Sequence, residues 1–176
     1  MRHPAVPYLE PLLGGVWWML GAAALDGGVG TVVLAAGLGV TVGLILALRK
    51  RHGAGSPLPR GGKRRMTQIV VVTVALIIAV GIGLGYLQQG ELAVPVACGL
   101  VGLALFPVSS LLDERSVMAA GGVLLVLGAA GVLLALDSAG NFYPQGVVGL
   151  VAGGVLWLVA AFRGGLITEA QGRVRG

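Results

Sequence analysis

The sequence predicts an all-α fold, a polytopic transmembrane helix bundle of six spans arranged as three hairpins with both termini cytoplasmic. Three observations lead there. The 176 residues are 56% hydrophobic and only 11% charged, with a mean hydropathy of +0.94. A soluble domain usually carries about a quarter charged residues, so there is too little polar side chain here to clothe a globule in water. Six apolar runs approach the ~20 residues that a helix needs to cross a hydrocarbon core about 30 Å thick. Finally, the twelve Lys and Arg residues all fall on one side of the topology those runs draw. At this length one transmembrane domain, 1–176, is expected.

The spans follow in order. The first covers residues 11–26 and is the shortest apolar run. A cleaved signal peptide competes for it: Arg2, an apolar stretch, then Ala22-Ala23-Ala24 as a small-residue cleavage site. Glu10 and the prolines at 4, 7 and 11, with Trp17-Trp18 inside the run, argue for a retained helix. The second span covers 29–48, the third 66–87, the fourth 92–112, the fifth 117–136 and the sixth 146–162. Pro144 and Pro95 suit first helical turns, where a missing N–H costs little. Pro107 lies inside the fourth span and predicts a kink.

The outer turns carry acid without base: Asp26-Gly-Gly, Gln88-Gln89-Gly90-Glu91, and residues 137–145. The inner segments hold the cations, above all the loop 49–65, RKRHGAGSPLPRGGKRR. Retained loops keep Lys and Arg while translocated loops shed them. This asymmetry predicts a multi-pass orientation with both termini inside. The net charge of +5 is thereby a topological tether and not a nucleic-acid footprint. The partner it implies is a bilayer with anionic headgroups, contacted by Arg49, Lys50, Arg51, Arg60, Lys63, Arg64 and Arg65.

Helices in lipid associate by close packing, which small residues one turn apart permit. Such pairs are Gly39 with Gly43, Ala75 with Ala79 and Gly83, Gly81 with Gly85, and Gly149 with Gly153. They suit packing inside the bundle, or a seam with a second copy or another membrane protein. An internal echo accompanies them. GGVWWMLGAA from Gly14 and GGVLLVLGAA from Gly121 agree at seven of ten positions, and both spans close on Ala-Leu-Asp. Hairpins one and three thus read either as parallel repeats or as a chance match in a chain with 32 glycines.

Chemistry is sparse. No ionisable residue falls at a predicted span centre, which speaks against proton relays and buried counter-charges. Thr41, Thr73 and Ser109 can bond their own helix backbones. The single Cys98 excludes an internal disulfide and any cysteine-based metal cluster. His3 and His52 lie outside the spans, so no haem is expected between them. Asp113-Glu114-Arg115 pairs two carboxylates at an inner turn, where a solvated turn is the simpler expectation than an acid–base site. Asp26, Glu91 and Asp137 offer an acidic ring at the outer mouth, or merely tolerated loop acids. Trp17-Trp18 reads as an interfacial anchor. No catalytic, cofactor or metal residues are assigned.

The run Gly102-Leu103-Ala104-Leu105-Phe106-Pro107, followed by Gly121, resembles small six-span bacterial inner-membrane proteins with a Gly-x-His-Phe-x-Pro-like fourth span. The resemblance covers about 30 residues and implies the architecture and location, with no settled activity. Ala104 stands where that group often has His, so no role of that His carries over. Three functional readings follow for the chain. One is a passive carrier or pore for a small neutral or weakly polar solute, which we take first. The others are a non-enzymatic accessory or scaffold subunit binding a membrane partner or lipid, and a membrane enzyme.

Overall fold

The computed structural model describes residues 8–25, 27–53, 61–137 and 143–166. Within them the chain is helical, with no strand: α1 (Leu9–Ala23), α2 (Gly27–His52), α3 (Gly62–Tyr86), α4 (Ala93–Leu112), α5 (Arg115–Asp137) and α6 (Tyr143–Arg163). A short 3₁₀ turn, Gly90–Leu92, leads into α4. Five helices, α2 to α6, are long and apolar enough to cross a membrane. With its 15 residues α1 reaches about 22 Å, short of a ~30 Å core.

Helix boundaries depart from the apolar runs where backbone bonding outlasts hydropathy. α2 continues through Arg49, Lys50 and Arg51 to His52, and α3 starts at Gly62, ahead of its apolar run. The cations in the last turn of α2 sit at the negative end of its macrodipole. α4 stays helical through Pro107 and stops at Asp113, whose φ of 53° is a left-handed stop.

Two helix pairs dominate the packing, α4 with α5 and α1 with α6, and α5 and α4 also contact α6. Their shared core contains Trp17, Cys98, Leu105, Leu124, Val148 and Leu156. α2 flanks this group on α1, and α3 flanks it on α4. The peripheral helices are hardly buried: among the residues of α3 only Gly62 is fully covered. Val70, Val72, Leu76, Ile78 and Ile82 stand exposed along it. Apolar surface of that extent on a water-soluble fold would aggregate, and it is the expected finish of a helix facing lipid.

Both dominant pairs close on glycine. A methyl added at Gly21 would stand 2.5 Å from the Leu150 nitrogen, and one at Gly149 2.6 Å from the Gly21 Cα. At Gly14 it would meet Trp157 at 2.6 Å and the Gly153 carbonyl oxygen at 3.0 Å. On α5, Gly121 abuts the Gly102 carbonyl at 2.8 Å and Gly128 abuts the Gly99 nitrogen at 2.5 Å. Thus Gly149 and Gly153 lie in a seam inside the chain. At Gly39, Gly43, Gly81, Gly83 and Gly85 an added methyl would meet nothing within 4 Å, and Ala75 and Ala79 are exposed. The echoed positions Gly14 and Gly121, and Gly21 and Gly128, occupy equivalent seams. The glycine seam of α1 is with α6, although α1 also packs on α2 through Gly15 against Thr41 and Trp18 over Gly37, and the seam of α5 is with its sequence neighbour α4.

Candidate functional site

On the side of the bundle that carries the basic residues, the ends of three elements meet at one buried cation. Arg163, the last residue of α6, donates through Nη1 to Glu10 Oε1 at the start of α1. Its Nη2 donates to Glu114 Oε1 at 2.7 Å, and its Nε pairs with Glu114 Oε2. The side chains of Arg163 and Glu10 are 8% and 3% exposed, and that of Glu114 is 21% exposed. Each residue is where helix electrostatics favours it. Arg163 ends a helix, and Glu114 and Glu10 stand at helix starts. Two guanidinium nitrogens donate hydrogen bonds, one to each carboxylate, and Nε adds a charge contact to Glu114.

Two carboxylates share one guanidinium, so the triad is not neutral when both are ionised. Glu10 lies just ahead of the apolar run of α1. Burial pushes its carboxyl above the ordinary carboxylate range, and the Arg163 guanidinium pulls it back only in part. The Asp113-Glu114-Arg115 turn is accordingly not the solvated turn expected: Asp113 and Arg115 are exposed while Glu114 folds under the bundle. Chemically the triad is a clasp. Its carboxylates are committed to Arg163, and among the described residues no three His, Cys, Asp or Glu side chains gather to hold a metal.

A second inner contact joins α2 to the end of α6. Arg51 Nη1 donates to the Gly164 carbonyl at 2.7 Å, His52 Nε2 lies 3.5 Å from the same oxygen, and Leu48 packs on Gly164. Tyr8 donates its hydroxyl to the Gly53 carbonyl nearby. Of the residues expected to meet headgroups, Arg51 is therefore partly committed to the protein, while Arg49, Lys50, Lys63, Arg64 and Arg65 are exposed. Arg60 lies outside the described residues, as does Asp26 of the expected acidic ring.

The cavities are lateral. A cleft of about 310 Å³ opens between α1, α3 and α4, lined by Leu13, Trp17, Ile69, Thr73, Val101 and Leu105 among others. A second, of about 390 Å³, lies between α3 and α4 along Val72, Leu76, Leu100, Leu103 and Pro107. The third, about 710 Å³, continues it to the basic end at Gly61, Gly62, Arg65, Gln68 and Ser110. The hydroxyls noted inside the spans are bonded to their own helices: Thr41 Oγ1 donates to the Gly37 carbonyl at 2.9 Å, and Thr73, which lines the first two cavities, donates to the Ile69 carbonyl at 2.7 Å. Cys98 points its thiol at the Leu124 carbonyl, 3.4 Å away.

The tryptophans are packing elements, not surface anchors. Trp17 is 3% exposed. Trp18 stacks on Trp157 with centroids 4.7 Å apart and donates to the Val33 carbonyl at 2.7 Å, over Gly37 of α2. Sequence reasoning missed the clasp because its members are 153 and 49 residues apart, and no local pattern couples them. The available signal was Glu10, an acid directly ahead of an apolar run, which requires a buried cation once the run is a retained helix. Comparison with protein families, with characterised proteins and with solved structures returned no match to this chain.

Proposed function

We propose that this chain is a non-enzymatic integral membrane protein that binds apolar membrane constituents laterally, lipid acyl chains being its ligand class. The observation that carries this reading is the open cleft between α1, α3 and α4, whose lining is aliphatic apart from Trp17 and Thr73. The Thr73 hydroxyl is already bonded to its own helix. A hydrated solute entering such a cleft loses water hydrogen bonds without replacement, at roughly 2–7 kcal/mol per polar group. An acyl chain forfeits nothing of the kind and gains dispersion contacts. The accessory or lipid-binding reading of the sequence thereby has more support than the carrier or pore, which needs a polar-lined route. An enzyme finds its best carboxylates occupied by Arg163.

The finer topology belongs to the same proposal. α1 completes a sixth crossing alongside α6, both termini share the basic side, and that side is the cytoplasmic face of a bacterial inner membrane. Cysteines placed at Lys63 and Gln89, one at each end of α3, test the orientation with an impermeant thiol reagent. Labelling of both from one side refutes it.

A second reading has an observation of its own. Ala75, Ala79 and Gly83 form an exposed small-residue face on α3, suited to a second copy of the chain. Self-association in mild detergent that is abolished by Ala79→Leu supports it, and a monomer at all concentrations removes it. The principal reading is tested by native mass spectrometry from mild detergent together with liposome swelling in glycerol. We expect retained lipid adducts and swelling no faster than that of empty vesicles. A lipid-free protein that accelerates swelling overturns the reading.

A further inference from the structure

The two cavities between α3 and α4 are one groove, since both are lined by Gln68, Ile69 and Pro107. It changes character along its length. From Val72 to Leu76 on α3, facing Leu100, Leu103 and Ala104, the walls are apolar apart from Thr73, whose hydroxyl is bonded to the Ile69 carbonyl. Past Gln68 polar groups enter the lining, Arg65 and Ser110, beside Leu111 and the glycines Gly61 and Gly62 where α3 begins. Among the described residues no Asp or Glu lines either part. Lys63 and Arg64 flank the polar end, both exposed. Gly61 precedes α3 at φ 80° and gives the helix no side-chain cap. The start of α3 lines this end, and Gly61 itself offers its first N–H groups no side-chain acceptor, in a field that favours an anion.

We infer that this groove seats one anionic phospholipid from the leaflet on the basic side. The phosphate lies at Arg65, Gln68, Ser110 and the start of α3, and one acyl chain runs past Pro107 along Val72, Leu76 and Leu103. This rests on the lateral-binding reading above and narrows it to one site and one headgroup class. Dimensions and charge choose the occupant. The apolar part, from Gln68 to Leu76, extends about 12 Å, comparable with the ~15 Å of a single leaflet, and the whole groove about 22 Å. A docked transmembrane helix would need a groove along all of α3, but the lining ends at Leu76 while α3 runs on to Tyr86. A second copy would bring its own cations against Lys63, Arg64 and Arg65.

The test is electron spin resonance of chain-labelled phosphatidylglycerol and phosphatidylcholine with the full chain in vesicles. The expected result is preferential immobilisation of phosphatidylglycerol. Arg65→Gln should lower that preference about fivefold, as expected for one basic group at a membrane surface. The exposed control Arg49→Gln should leave it within a factor of two. Leu103→Trp, which fills the apolar part, should displace both lipids from the motionally restricted fraction. Equal losses for Arg65→Gln and Arg49→Gln overturn the proposal in favour of diffuse surface charge. Rapid disulfide dimers of Leu76→Cys overturn it in favour of a second copy; Cys98, fully buried, does not compete. If phosphatidylcholine is retained as well as phosphatidylglycerol, this site fails while lateral lipid binding stands. If neither is immobilised, both readings fail.

Discussion

Removing the cation of the inner clasp should cost more than any other single surface-proximal change in the molecule. Arg163→Met leaves Glu10 and Glu114 without a partner. Breaking a buried ion pair from one side costs about 3–5 kcal/mol, because the remaining charge stays uncompensated. Here Glu10 is 3% exposed and bears the full penalty, whereas Glu114, at 21%, recovers part of its hydration. The expected loss is therefore about 3–4 kcal/mol. Unfolding in bicelles, followed by the fluorescence of Trp17, Trp18 and Trp157, measures it. The same reasoning predicts a recovery. Glu10→Leu, Glu114→Leu and Arg163→Met combined should return to within about 1 kcal/mol of the parent, since a packed apolar replacement of a buried triad is often neutral or better. A single Arg163→Met variant within about 0.5 kcal/mol of the parent would show that the carboxylates are solvated. A triple variant no better than the single would show that the clasp is not the cause.

Other expectations concern the seams and the buried polar groups. Gly21→Ala should destabilise by about 1–3 kcal/mol despite the better helix propensity of alanine, because the methyl meets backbone at 2.5 Å. Gly39→Ala, with nothing within 4 Å, should be neutral or gain up to about 1 kcal/mol; the same unfolding assay compares them. Trp18→Phe removes the bond to the Val33 carbonyl and should lose about 1 kcal/mol, with a loosened α2 detectable as faster hydrogen exchange in residues 31–41. Cys98 should resist N-ethylmaleimide in native vesicles and react fully once the bundle is dissolved in hot SDS.

The helices themselves were legible in the sequence because apolar length is a property of each segment alone. Which helix touches which was not. Gly39, Gly43, Gly81, Gly83 and Gly85 carry the same one-turn spacing as Gly149 and Gly153, yet only the last two meet another backbone. Small residues permit approach and do not name the partner. The repeated GGV…LGAA pattern held more information than the pairwise spacings, since its glycines recur two turns apart and both copies lie in seams. It did not say which neighbour each copy meets: α1 packs more extensively on α6 than on α2, and α5 more on α4 than on α6. The hydroxyls behaved as local backbone partners, the reading that needs the least information from elsewhere. Glu10, Glu114 and Arg163 escaped because each looks like an ordinary interfacial residue until the long-range packing of α1 on α6 is known.

That pairing of the first helix with the sixth sets a schedule for biosynthesis. α1 is short and enters with an acid at its leading edge, and its matching cation is 153 residues downstream. At about 5–20 residues per second the ribosome needs roughly 8–30 s to supply Arg163 after Glu10. Throughout that interval α1 has neither its seam partner nor its counter-ion. What it does have is α2, which Trp18 meets at Val33 and Gly37. Completion of α6 supplies in one event both the glycine seam and the counter-ion of α1.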